Sequence, residues 1–153
     1  MSDPKPKVEI LFRERVTANL GTFMAIIALL PAITLISEPF DYRIGLALGT
    51  LLVVGIWTTL FLFAPIVQVT KSEFSAGQAV IDRKFIGEVE IIDKDRIFHE
   101  RGPGLNPAAF RLFQGTVQQG VKVEILDPQD PTPYWLISTR KPSELKRALE
   151  NKD

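Results

Sequence analysis

Two long apolar runs occupy the first half of the chain. No charged residue occurs from Val16 to Ser37 or from Ile44 to Thr70, and only a six-residue loop separates the runs. A helix needs about 20 apolar residues to cross a bilayer, and neither run keeps the polar face of a soluble surface helix. The pattern predicts a transmembrane hairpin over residues 16–70, with spans at about 17–37 and 44–67.

Two alternatives to a membrane hairpin are a buried helical hairpin of a soluble protein and a cleaved signal peptide. The missing polar face disfavours the first alternative. The second is disfavoured because a further span follows at once and no small-x-small cleavage site precedes Glu38. Pro31 is expected to interrupt the first helix, since its ring removes a backbone donor.

After Thr70 the pattern changes to short alternating segments with turn residues between them. Strands are expected within residues 66–82, around "GEVEIID", and in "AAFRLF", "VKVEIL" and "YWLIST". "DKDRIFHERG" predicts a short helix capped by Asp93, and Pro142 suits the first turn of a terminal helix. The fold class predicted is an α+β membrane protein: a two-helix hairpin, then a small antiparallel β-roll or barrel closed by a C-terminal helix. Residues 71–153 are its β-rich domain.

Basic residues flank the spans unevenly and indicate an orientation. The loop between the spans holds only Arg43. The basic residues outside the hairpin's two ends are Lys5, Lys7, Arg13, Arg15, Lys71, Arg83 and Lys84. Because Lys and Arg favour the cytoplasmic side, both termini are expected inside the cell. Residues 1–15 then form a cytoplasmic tail of a multi-pass plasma-membrane protein, and Phe40 and Tyr42 lie at the outer interface.

Composition excludes several kinds of chemistry. The chain has 18 basic and 18 acidic residues, one histidine and no cysteine. The balanced charge argues against nucleic-acid binding, and no disulfide or cysteine-ligated zinc site can form. Asp95 and His99 share one face of the short helix, but two mixed ligands favour a solvated polar face over a metal site. No catalytic residue, metal or cofactor is predicted, and an enzyme around His99 and Arg101 is the third hypothesis.

The stretch "DPQDPTPYWLISTRKPSEL" carries the candidate binding residues. Its Asp and Pro residues are turn chemistry between two strands. Ser138, Thr139, Arg140 and Lys141 lie near a helix N-terminus, where free amides favour an anion. The competing interpretation is that these residues only end a strand and cap the following helix. We favour that interpretation over anion binding. Tyr134 and Trp135 point to opposite faces of a strand, and the pattern leaves open which one enters the core.

Several segments together resemble a known family. Two spans followed by "VTKSEFSAGQAVI", "GEVEIID", "RGPGLNPAAF" and "VKVEILDPQDPTPYWLISTRKPSEL" are similar to the actinobacterial domain-of-unknown-function 3093 family. That resemblance implies a small membrane protein with no established activity. The element order of the soluble part also resembles a bacterial pleckstrin-homology-like domain.

These observations lead to two functional hypotheses. The first is a non-enzymatic, membrane-anchored interaction or scaffold module that binds an unidentified protein partner. The alternative is a module that binds lipid head groups or a small anion through residues 138–141. Membrane lipids are expected partners, nucleic acid is not, and homo-oligomerisation stays open. The "GLALG" glycines are interpreted as packing the two spans together, with a homodimer as the alternative.

Overall fold

The computed structural model describes residues 9–39 and 41–151. Residues 9–16 and 65–151 form one compact unit, and residues 17–64 form another. The helices in the described residues are α1 (Leu20–Ile27), α2 (Leu29–Ser37), α3 (Tyr42–Leu62), α4 (Lys94–Arg101) and α5 (Pro142–Glu150). The strands are β1 (Ile10–Arg15), β2 (Ile66–Thr70), β3 (Glu73–Ala76), β4 (Ala79–Asp82), β5 (Ile86–Ile92), β6 (Phe110–Leu112), β7 (Gly120–Ile125) and β8 (Tyr134–Ser138).

The first apolar run is helical but broken, as Pro31 predicts. α1 ends at Ile27 and α2 begins at Leu29. A proline ring clashes with the carbonyl four residues earlier and supplies no N–H to it, and that carbonyl belongs to Ile27. Asn19 caps α1 by accepting a hydrogen bond from the Thr22 amide at 2.8 Å.

Two glycines let α2 and α3 approach closely. A Cβ on Gly45 would lie 2.6 Å from Cβ of Ser37, and one on Gly49 would lie 3.5 Å from the Leu30 carbonyl oxygen. Both glycines are buried. The "GLALG" pair therefore packs the two runs against each other, as expected. Trp57 also packs within the hairpin, edge-on to Phe23 at 5.8 Å between ring centroids.

Both apolar segments are long and apolar enough to cross a membrane. They comprise 18 residues in Leu20–Ser37 and 21 residues in Tyr42–Leu62. The second helix is shorter than the span expected over 44–67, because residues 66–70 form β2. Proline cannot continue a helix comfortably, and Pro65 separates the two elements.

The first sheet contains a strand that the apolar pattern did not predict. β1 to β4 form an antiparallel sheet in chain order. Residues 10–15, expected in a cytoplasmic tail, pair with β2, so the boundary expected at residue 70 differs from the observed division. Only Phe12 is buried in β1, which explains why the hydrophobic pattern gave no strand signal. The expected positions of Lys5, Lys7 and Phe40 lie outside the described residues.

The hairpin of residues 17–64 is an insertion between two paired strands. Arg15 is opposite Ile66 in the β1–β2 ladder. The amide of Val16 donates to the carbonyl of Pro65 at 2.9 Å. The pairing of β1 with β2 therefore continues up to the residues at which the chain enters and leaves the hairpin.

The second sheet has the order β5-β7-β8-β6. β5–β7 and β7–β8 are antiparallel, but β6 runs parallel to β8. The predicted antiparallel arrangement is confirmed for both sheets except at this edge. A parallel pair needs a long crossover connection, and the turns and β7 between residues 112 and 134 provide it. The register of the β5–β7 ladder shifts between Ile86 and Val89, next to Gly87.

The core decides the orientation of the two adjacent aromatics. Trp135 is buried and its ring lies 5.5 Å from Phe74 and 4.9 Å from Phe110. Tyr134 packs against a smaller apolar cluster, formed by Ile92, Ile97 and Leu136. The predicted terminal helix, α5, buries Leu145 and Leu149 in the main core.

Candidate functional site

The four residues proposed for anion binding lie between β8 and α5, but they differ in exposure. Ser138 and Thr139 are 1% and 0% exposed. Arg140 and Lys141 are exposed, and Lys141 forms an ion pair with Glu144 at 3.0 Å. The structure therefore separates two buried hydroxyls from two exposed cations.

A carboxylate of the protein itself occupies the anion position at this segment. Glu14 of β1 accepts a hydrogen bond from the Thr139 hydroxyl through Oε2. Its Oε1 accepts from the Arg140 backbone amide at 3.0 Å. A carboxylate held by such donors stabilises the local backbone. The contact joins β1 to the start of α5 and takes donors that an external anion would need.

Ser138 contributes to a different contact, on the far side of the strand end. Its hydroxyl oxygen accepts from Arg101 Nη2 at 2.7 Å and from the Gln114 amide at 3.1 Å. Arg101 Nη2 also donates to the Val117 carbonyl at 2.6 Å. Ser138 therefore fixes the position of Arg101.

Arg101 is a half-buried cation whose partners are all neutral. Its guanidinium lies 5.0 Å from the Phe113 ring centroid. Its Nε atom is buried and donates to no acceptor among the described residues. Burial lowers the pKa of Arg101, because desolvation disfavours the charged form. A carboxylate partner would normally accompany such a charge.

The lining of an adjacent cavity includes Arg101. This cavity, called here the α4 cavity, has a volume of about 340 Å³ and is lined by Lys94, Ile97, Phe98, Arg101, Gly102, Gly115 and Gln118. Phe98 is 82% exposed, so its side chain is not part of the hydrophobic core. No acidic side chain is among the described lining residues.

Four charged side chains of α4, β5 and β7 pair with one another. Glu100 is buried, and its carboxylate lies 3.0 Å from Lys122 Nζ and 3.6 Å from Arg96 Nη2. Arg96 also contacts Glu90 at 2.6 Å, and that hydrogen bond is the largest cause raising the pKa of Arg96. Lys122 lies 4.4 Å above the Tyr134 ring. The network ties α4 to β5 and β7.

The residues considered as metal ligands in the sequence, His99 and Asp95, both lie on α4. His99 and Asp95 are both exposed, and no group of three or more potential ligands occurs among the described residues. The solvated-face interpretation of these residues is the one that the geometry favours.

Arg83 has a structural role that its place in a basic cluster concealed. It is 6% exposed and donates through Nη2 to the carbonyls of Ala148, Leu149 and Asn151 at 2.7, 3.2 and 2.6 Å. A cation at a helix C-terminus complements the helix dipole and satisfies otherwise unpaired carbonyls. Arg83 therefore caps α5, so it cannot serve as an exposed topology signal.

Comparison with known proteins supplies a family without an activity. The chain matches the family described as "Protein of unknown function (DUF3093)" over residues 11–149. No curated protein and no solved structure gives a significant match. The matched region begins within β1 and ends within α5, so it covers residues of both compact units. This chain belongs to the DUF3093 family.

Proposed function

We propose that the chain is an integral membrane protein whose hairpin, residues 17–64, anchors the β-rich unit at the cytoplasmic face as a non-enzymatic interaction module. The observation that carries the proposal is the exposure of the apolar helices. None of the apolar window in Leu20–Ser37 is buried within the protein, and only 17% of that in Tyr42–Leu62 is buried. A core helix would be mostly covered by protein, whereas a bilayer solvates such surfaces favourably.

The geometry of the polar groups supports an interaction module more than an enzyme. The buried Ser138, Thr139 and Glu100 each bond to another group of the fold. Catalytic groups are normally aimed into a cleft and share it with a nucleophile or base. Here the same groups connect strands to helices, which suits a rigid display surface.

The cytoplasmic orientation rests on fewer basic residues than the sequence count used. Arg83 is buried, and Lys71 pairs with Glu9 at 2.7 Å. Lys84 pairs with Asp82 at 3.0 Å in the same way. Arg13 is exposed, and the loop between the spans still contributes only Arg43. The positive-inside argument keeps its sign with a smaller margin.

The pleckstrin-homology-like character of the β-rich unit is part of the same proposal. Two four-stranded sheets followed by a C-terminal helix support it. The parallel β6–β8 pair departs from the all-antiparallel arrangement that the resemblance implies. A domain of this kind would present loops and an edge to a membrane-bound partner.

Membrane insertion and orientation can be tested on the full-length chain without background labelling, because it has no cysteine. Single cysteines at Glu38 and at Ser72 place one thiol in the loop between the spans and one in the β-rich unit. In intact cells a membrane-impermeant maleimide is expected to label Glu38→Cys, and to label Ser72→Cys only after permeabilisation. The protein should also remain in the pellet after alkaline carbonate extraction.

The outcomes separate insertion from orientation. Recovery of the protein in the carbonate supernatant would refute anchoring. Labelling of Ser72→Cys in intact cells would keep the anchor and reverse the orientation. Crosslinking in native membranes followed by purification should then yield one stoichiometric protein partner, and its absence would argue against the interaction module.

A further inference from the structure

The residues that line the α4 cavity combine two cations with an apolar wall. Lys94, Ile97, Phe98 and Arg101 lie at positions i, i+3, i+4 and i+7 of α4, so they share one face of the helix. The cavity of about 340 Å³ falls within the size range of small-ligand sites. Its chemistry therefore resembles a binding site more than a gap in surface packing.

Neither cation of the cavity forms an ion pair with a carboxylate among the residues that the structure describes. Lys94 is exposed and forms no ion pair with a described residue, whereas Lys71, Lys84, Lys122, Lys141 and Lys146 each do. Arg101 is held by the Val117 carbonyl and the Ser138 hydroxyl, both neutral. The contrast with Arg83 is informative, because the carbonyl end of α5 compensates that buried charge. A partly buried, uncompensated guanidinium is costly unless an anion accompanies it.

Phe98 supplies the apolar side of the same site. Its ring is 82% exposed between Lys94 and Arg101, and Ile97 beside it is buried. An exposed aromatic flanked by cations stabilises nothing within the fold, but it can cover an alkyl or aromatic group of a ligand. The positive charge and the apolar wall together define the ligand's two ends.

We propose that the α4 cavity binds an amphipathic anion, that is, a phosphate or carboxylate group joined to an apolar chain, with Lys94 and Arg101 at the anionic end and Phe98 and Ile97 along the apolar end. This goes beyond the proposed anchoring function and does not depend on it. A membrane lipid head group and a soluble amphiphile share this chemistry. The site is distinct from residues 138–141, although Ser138 positions Arg101.

The test uses the full-length protein in phosphatidylcholine nanodiscs and follows the acetylation rate of individual lysines by mass spectrometry. Octyl phosphate is the soluble probe. Inorganic phosphate carries its charge without the chain, and 1-octanol carries the chain without the charge. Lys84 serves as an internal control, because it is exposed, pairs with Asp82 and is not among the described residues that line the α4 cavity. A second arm replaces part of the phosphatidylcholine with phosphatidylglycerol and adds no soluble probe.

Protection of Lys94 but not Lys84 by octyl phosphate supports the proposal with a soluble source, and protection by phosphatidylglycerol alone supports it with a lipid source. In either arm, Phe98→Ala is expected to raise the half-protecting concentration about tenfold, which corresponds to about 1.4 kcal/mol. Val80→Ala, which truncates another exposed apolar side chain, should leave it unchanged.

Four results would overturn the proposal. These are protection of Lys94 by neither probe arm, equal protection by 1-octanol, equal protection by inorganic phosphate, and unchanged binding in Phe98→Ala. The first would leave a protein partner as the occupant of the α4 surface. The second would remove the anionic requirement, and the other two would remove the apolar one.

Discussion

Replacing Arg83 by Met should unfold the end of α5, because it removes a buried cap while keeping a side chain of similar length. The guanidinium makes two short hydrogen bonds, at 2.6 Å to the Asn151 carbonyl and at 2.7 Å to the Ala148 carbonyl. Longer contacts of 3.3 and 3.4 Å reach the carbonyls of Thr70 and Lys71. Arg83 thus ties the C-terminal helix to the first sheet.

The magnitude follows from the two short bonds. A hydrogen bond to a charged group contributes about 1.5–3 kcal/mol, so the pair contributes about 3–6 kcal/mol. Removing the guanidinium also removes part of its desolvation cost, which leaves a net loss of about 3 kcal/mol. Since about 1.4 kcal/mol is a factor of ten, amide protection in α5 should fall about 100-fold.

Hydrogen exchange measured by mass spectrometry on the full-length protein in nanodiscs reports this directly for peptides covering α5. Lys84→Met is the matched control, because Lys84 is exposed and pairs only with Asp82 and the face of Phe85. Its effect should stay within about 0.5 kcal/mol. Arg83→Lys keeps the charge but loses the planar fork, so protection between the two is expected.

The reasoning would be refuted by an α5 in Arg83→Met that exchanges as slowly as in the natural sequence. That result would mean that burial of Leu145 and Leu149 holds the helix without the cap. A loss of protection spread equally over both sheets would also contradict it. The cap acts on α5 and its contact with the first sheet, so α5 should open first.

Three further predictions concern other contacts of the protein. Glu14→Ala should cost about 1–3 kcal/mol by leaving the Thr139 hydroxyl without its acceptor, as faster exchange around residue 139 would show; an unchanged rate would argue against the contact. Gly45→Leu should separate α2 from α3, because even a Cβ lies 2.6 Å from Ser37; reduced crosslinking between cysteines placed on the two helices checks this, with Gly55→Leu, where a Cβ meets nothing within 4 Å, as the control. A chain of residues 71–153 should fail to fold because it lacks β1 and β2, whereas joining residue 16 to residue 65 by a two-residue turn should give a cooperatively unfolding protein by circular dichroism.

Local pattern predicted most of the elements and little of their assembly. Asp93 as a helix cap and Pro142 at the start of α5 depend on neighbouring residues only. β1 was not predicted, because only Phe12 of this strand is buried and its sequence therefore lacks the alternating apolar pattern of a strand. The parallel direction of the β6–β8 pair was not predicted, because strand direction depends on the connection between the strands. The alternation of apolar and polar residues does not record it.

The candidate site shows the same division more sharply. Ser138 and Thr139 were candidates for anion binding. The Thr139 hydroxyl instead donates to the carboxylate of Glu14, 125 residues away in the chain, and Ser138 accepts a hydrogen bond from Arg101. Arg83 was interpreted as part of a surface cluster, yet it bonds to Ala148, 65 residues away. A charge pattern records that a group is ionised, but it does not record which partner the fold brings to it.

The sequence by itself determined the two apolar helices, the strand-rich second half, the turns and the helix caps, because these follow from side-chain periodicity and from backbone hydrogen bonding over a few residues. Only the tertiary structure decided that the described lining around Lys94 and Arg101 contains no acidic side chain. It also decided that β1 completes the first sheet across the hairpin and that Arg83 caps α5. The last two arrangements join residues that are distant in the chain. Their energies depend on burial and on charge compensation, which arise only when the chain is folded.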